Sequence, residues 1–220
     1  SSDLCRISGV ISAAGGVVTK AGTGSLTLSG ANTFTTGFNL DAGSLIFGIA
    51  SAGTVPTITS GPVGTGTLAI ANGTSILADG TPRTVGNAVT VNGDFTFGGV
   101  TAGNNVTLSG AMNLGSAGRT ITVTSPAVTG TISGAITSTA TGTALTKTGI
   151  GTLTLSSGSN NFGGAAVAIT GGILKNGVNN AIPNSSNIAI SAGAGYDLNN
   201  FDQTSQTISG SGFITNSANA

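Results

Sequence analysis

The 220-residue chain has no histidine, no tryptophan and no glutamate, and only 5 % of its residues are charged, against roughly 25 % in ordinary soluble domains. Without histidine a hydrolytic triad lacks its usual base. With one cysteine besides, a zinc site lacks its usual ligands. That cysteine, Cys5, excludes an internal disulfide; it reads as a small apolar residue near a terminus, with a link to another chain as the sharper alternative. No apolar run approaches the ~20 residues that a membrane-spanning helix requires. Six lysines and arginines balance six aspartates, so nothing steers the chain toward nucleic acid or an anionic membrane. Near-zero net charge instead removes the repulsion that keeps copies apart. The sequence opens at Ser1 with no basic-then-apolar signal segment, which reads as a processed or excised piece.

The carboxylates are Asp3, Asp41, Asp79, Asp94, Asp197 and Asp202, and only the last two lie close together in sequence. No catalytic residue, metal site or cofactor is expected from them. Gly22-Thr23-Gly24 and Gly149-Ile150-Gly151 complete neither a dinucleotide fingerprint nor a P-loop, and no helix follows either. Thr57-Ile58-Thr59, Thr120-Ile121-Thr122 and Thr152-Leu153-Thr154 recur at irregular intervals, so an in-register threonine array of the kind that binds ice is not expected.

What is present is alternation. Leu26-Thr27-Leu28, Leu68-Ala69-Ile70, Val89-Thr90-Val91, Phe95-Thr96-Phe97, Val106-Thr107-Leu108, Ile121-Thr122-Val123, Leu153-Thr154-Leu155 and Ile188-Ala189-Ile190 place apolar residues two apart, the period of a strand. Turn formers such as Asn72-Gly73, Asp79-Gly80, Asn92-Gly93 and Gly163-Gly164 separate such runs. No stretch of ten residues carries a helical stripe. The chain also resembles itself. Lys20, Gly22, Gly24, Leu26 and Leu28 return as Lys147, Gly149, Gly151, Leu153 and Leu155, an offset of 127. After a one-residue insertion Asn32 and Phe34 return as Asn160 and Phe162, and Gly43-Ser44-Leu45 aligns with Gly171-Gly172-Ile173. The two copies span residues 7–48 and 132–176. A unit of this kind cannot cover its own apolar face, so the units must stack. The expectation is one all-β domain over residues 1–220, a single-stranded parallel β-helix of about eleven coils rising about 4.8 Å each, a rod near 50 Å long. Its aromatics would serve as core plugs.

These residues closely resemble the autotransporter-associated β-strand repeat of bacterial passenger domains. Lys20 through Phe47 fits that pattern almost without a break, and Ser157-Gly158-Ser159-Asn160-Asn161-Phe162 departs from it at the second corner. The resemblance implies a right-handed β-helix, exported to the cell surface or beyond. It does not specify an activity, because passengers of this kind include adhesins, proteases and spacers.

The two ends bear on partners. Ile208-Ser209-Gly210 with Phe213 and Ile214 resembles the lead-in Ile7-Ser8-Gly9-Val10-Ile11. The leading expectation is therefore a non-enzymatic extracellular structural subunit whose copies associate head to tail into filaments. The alternative is an adhesin or spacer segment of a passenger that meets host surfaces or glycans.

Overall fold

A computed structural model describes residues 4–12 and 15–217; Asp3 lies outside them. All eight alternating runs lie in strands. The strands stack in three parallel sheets of ten, seven and six members, and the chain visits them in a fixed order. Thr74–Ala78 belongs to the ten-stranded sheet, Arg83–Val85 to the seven-stranded, Val89–Val91 to the six-stranded, and Phe95–Phe97 to the ten-stranded again. This is a β-solenoid with three faces.

The long sheet has one strand per turn, which makes about ten turns where uniform twenty-residue coils would make eleven. The difference lies in coil length. Paired residues one turn apart are separated by 19 positions at Ser25↔Ser44, 26 at Ile121↔Lys147 and 31 at Ser44↔Ser75. The longest coil carries an excursion that the parallel pattern does not anticipate. Ala52–Thr54 and Thr57–Ser60 form an antiparallel hairpin, and Ser51 at its base donates its backbone N–H to Thr84 O on the edge strand of the seven-stranded sheet. A short 3₁₀ turn is formed by Ala102–Asn104.

Alternation decides what is inside. Leu28, Phe47 and Ala78 share one inward column, and Leu108, Ile132 and Leu155 another, all fully buried. Phe34, Phe38, Phe47, Phe95, Phe97, Phe162 and Tyr196 fill the interior as expected, whereas Phe213 is 47 % exposed. Burying each such side chain contributes about 1.5–3 kcal/mol relative to exposure, and the inter-turn ladder satisfies the backbone between them.

Candidate functional site: the repeat nodes, the lateral faces and the ends

The two repeat lysines do not face solvent. Lys147 is completely buried and Lys20 nearly so. Lys20 Nζ donates to the carbonyls of Ala21, Gly22 and Ala42 at 2.9, 2.6 and 3.1 Å. Lys147 Nζ does the same to Thr148, Gly149 and Gly171 at 2.8, 3.0 and 2.9 Å. Each ammonium thus gathers two carbonyls of its own corner and one from the next turn. An ammonium offers three donors, and three acceptors receive them. Burial pushes the Lys147 ammonium down to about 8, because a low-dielectric interior disfavours the charged form.

Corner glycines make room for this node. A Cβ on Gly43, at φ +73°, would sit 2.4 Å from Gly24 O, and one on Gly172, at φ +60°, would sit 2.4 Å from Gly151 O. The contacts equate Gly43 with Gly172, and the sheet register agrees: Ser25↔Ser44 and Leu26↔Leu45 in one copy correspond to Thr152↔Ile173 and Leu153↔Leu174 in the other. The alignment of Gly43 with Gly171 is therefore corrected by one residue. A second single insertion separates the copies there, which sequence spacing alone could not locate.

The corner asparagines tie three turns together. Asn32 Oδ1 accepts from Ile11 N–H at 2.7 Å while its Nδ2 donates to Pro62 O at 2.6 Å. Asn160 accepts from Ile136 N–H and donates to Ala181 O, both at 2.7 Å. Phe34 and Phe162 follow them into the core. Gly22, Gly24, Leu26 and Leu28 thus have their counterparts Gly149, Gly151, Leu153 and Leu155 in the same local roles, but on a different face. Leu26 and Leu28 lie in the ten-stranded sheet, Leu153 and Leu155 in the seven-stranded sheet. Counting strands, the second copy follows the first by five turns and one face.

Thr57-Ile58-Thr59, Thr120-Ile121-Thr122 and Thr152-Leu153-Thr154 lie in the hairpin, the ten-stranded and the seven-stranded sheet and so form no common array, but other threonines come into register on one face. On the seven-stranded sheet Thr84, Thr107, Thr131 and Thr154 form one unbroken column. Thr129 pairs with Thr152 beside it, and Ser109, Ser133 and Ser156 follow the inward Leu108, Ile132 and Leu155 on the other side. The result is an uncharged grid of half-buried and exposed hydroxyls, spaced about 4.8 Å between strands and about 6.6 Å along them. Its coils are nearly equal in length, the column residues being 23, 24 and 23 positions apart, so their register follows from a near-constant spacing in the sequence.

Near the C-terminal end, Tyr196 Oη lies 2.8 Å from Asn176 Oδ1 and 3.0 Å from Gln203 Oε1, and burial raises its pKa strongly. Burial would also raise that of Asp197, but the Ser217 hydroxyl and N–H, the Asn199 N–H and the Lys175 ammonium hold it below the ordinary carboxylate value. Asp202 contributes backbone contacts to the Asn179 and Asn180 corner. Among the described residues no group of three or more cysteines and aspartates is placed to hold a metal ion.

Among the described residues the outermost strands are each paired on one side only. Leu4–Ile7 and Ile208–Gly210 are opposite edges of the ten-stranded sheet, Val18–Lys20 is an edge of the six-stranded sheet and Phe213–Thr215 an edge of the seven-stranded one. Ile7 and Ile11 are partly buried against the core, whereas Val10, Ile208, Phe213 and Ile214 are exposed.

Residues 18–47 and 145–175 match the family model of the passenger-associated-transport-repeat. Neither the curated proteins nor the solved structures yielded a match. The two matched stretches coincide with the two lysine nodes and their stacked corners, and the repeat family implies an exported or surface protein. The chain thus carries two stretches similar to the passenger-associated-transport-repeat, both wound into one parallel β-solenoid.

Proposed function

We propose that this chain is a non-enzymatic structural rod, an extracellular segment whose task is length, stiffness and durability. The observation that carries this reading is the direction of its reactive groups. Lys20 and Lys147 point inward onto carbonyls, Tyr196 is buried against amides, and Asp197 is held by its own neighbours. What faces outward is mostly small and uncharged. Nine inter-strand steps of about 4.8 Å along the long sheet give a described body about 43 Å long. Small-angle scattering tests the reading directly: the rod requires an elongated particle of that length, and a compact sphere of the same mass defeats it.

The hydroxyl grid supports a second reading, an adhesin segment that meets glycans or host surfaces through a lateral face. Ordered hydroxyls hydrogen-bond sugars, although every aromatic that could stack on a sugar ring is buried except Phe201 and Phe213. Binding of the monomer to a glycan array, lost in Thr131→Val/Thr154→Val, would establish the adhesin; no binding leaves the rod.

A further inference from the structure

Between Phe95 and Leu174 the only charged side chains are Arg119, which donates to Leu114 O, and the buried Lys147. The middle of the rod therefore meets solvent almost without ionic groups, although soluble surfaces ordinarily keep roughly a quarter to a third of their residues charged. Resting on the second reading above, that of an adhesin, we propose that this stretch of the seven-stranded face holds a neutral, unbranched polysaccharide, laid along the rod axis between the threonine grid and an apolar ridge beside it.

The ridge is the corner at which the chain passes from the ten-stranded to the seven-stranded sheet. Successive turns stack there: Thr124 Oγ1 donates to Gly99 O and Gly151 N–H to Val123 O, both at 3.0 Å. Beside these contacts Val100 is 77 % and Ile150 64 % exposed, and Pro126 and Ala127 between them are exposed too. Packing does not demand them. Ile150 stands between two glycines that are closed from behind, since a Cβ on Gly149 or Gly151 would lie 2.3 Å from Val123 O or Ser125 O. The equivalent corner of the first repeat carries Thr23. Three consecutive turns thus expose apolar groups along one line, and a contiguous strip of this kind marks a contact where a lone side chain would not.

The grid supplies the polar half. Elsewhere on the rod threonine hydroxyls turn back onto carbonyls of the preceding turn, as those of Thr124, Thr137 and Thr170 do. Among the described residues the hydroxyls of Thr107, Thr129, Thr131, Thr152 and Thr154 have no partner within the chain, so each has both a donor and an acceptor to offer. That is the complement of a sugar hydroxyl, and the aliphatic ridge meets the C–H edge of the same ring where no aromatic is at hand. A charged ligand gains nothing here. An extended peptide gains little, because Val106–Leu108, Thr129–Ile132 and Thr152–Leu155 are each paired on both sides and leave no edge to extend.

The field has a definite length. At one end the hairpin closes it: a Cβ on Gly86 would lie 2.7 Å from Ile58 Cγ2. At the other, Lys175 takes the place of threonine beside Thr154 and pairs with Asp197 at 3.4 Å. A sugar linked through opposite ring positions advances by close to one inter-strand step of about 4.8 Å, so the strands from Arg83–Val85 to Thr152–Leu155 accommodate about four rings.

The test is calorimetric titration of the 220-residue chain with cello- and chito-oligosaccharides from dimer to octamer, and with oligogalacturonates as their anionic counterparts. Affinity for the neutral series should rise to the tetramer, level off there and not change with salt. Val100→Thr/Ile150→Thr should weaken it by about tenfold, the loss that small apolar contacts carry, and Thr131→Val/Thr154→Val should weaken it as well. Both variants should keep the parent's circular dichroism, since the change at Ile150 copies a corner that already folds around Thr23. Binding that the threonine pair abolishes and the ridge pair leaves untouched overturns the inference and leaves the adhesin reading standing. Tighter binding of oligogalacturonates, or affinity that keeps climbing to the octamer, does the same. Thermal hysteresis in place of sugar binding overturns it in favour of ice. No binding to either series beside a glycan array positive for other sugars sinks the inference alone, and an array without any binding defeats both and leaves the rod.

Discussion

Replacing Lys147 with methionine isolates the buried node, since methionine keeps an unbranched apolar stem and removes only the ammonium. Three carbonyls, of Thr148, Gly149 and Gly171, lose a donor. A buried acceptor left without a partner costs about 1–3 kcal/mol, so the loss is about 3–9 kcal/mol. Against it stands the relief of charge burial. Moving the ammonium from its ordinary 10.5 to about 8 corresponds to about 3 kcal/mol at 1.36 kcal/mol per unit. The balance is a destabilisation centred near 3 kcal/mol at neutral pH. The folded-state value lies below the unfolded one, so between about pH 8 and 10.5 the unfolded chain binds more protons, and the stability of the parent must rise with pH across that window. Lys147→Met should lack this rise. Thermal and urea melts followed by circular dichroism at pH 7.5 and pH 10 measure both effects. A methionine variant more stable than the parent at pH 7.5, as happens when some buried ion pairs are replaced by apolar groups, would refute the view that the ammonium holds the corner together.

Asn160→Ala should cost about 2–4 kcal/mol, because Ile136 N–H and Ala181 O are orphaned together; an exposed-site cost under 0.5 kcal/mol in a urea melt would contradict its role as a tie between turns. Gly172→Ala should destabilise by more than Gly193→Ala, since both have positive φ but only the former meets a carbonyl; equal melting temperatures would remove the steric argument. Asp197 has its pKa depressed by its Ser217 and Asn199 donors, so its contribution is present at neutral pH and lost as pH falls through the acid range. Hydrogen exchange should accordingly quicken in Gly195–Asp197 and Phe213–Thr215 before the central turns loosen, and uniform loosening would count against it.

Much of the architecture was legible in the sequence because its rule is local. Period-two runs such as Val106-Thr107-Leu108 need only alternate to find a sheet, and the recurrence of Lys20 through Leu28 at Lys147 through Leu155 announced stacking. What stayed hidden depends on coil length, which no local rule fixes. The hairpin at 52–60 lengthens one coil to 31 residues, shifts everything after it and thereby sets which residues become neighbours. The equivalence of Gly43 with Gly172 follows from a smaller difference of the same kind, 19 positions separating Ser25 from Ser44 and 21 separating Thr152 from Ile173. The burial of Lys147 was hidden for a different reason. A lysine in a polar corner sequence reads as solvated, and only its identical setting, two residues before a glycine-x-glycine pair in both copies, signalled a fixed partner.

The displacement of the second repeat by one face has a consequence for recognition. Any molecule that reads the outer relief of this motif finds it twice on the same rod, aimed at two different azimuths and set five storeys apart. A flat surface can engage one copy or the other but never both, whereas a meshwork of flexible chains can hold the two together and cross-link through them.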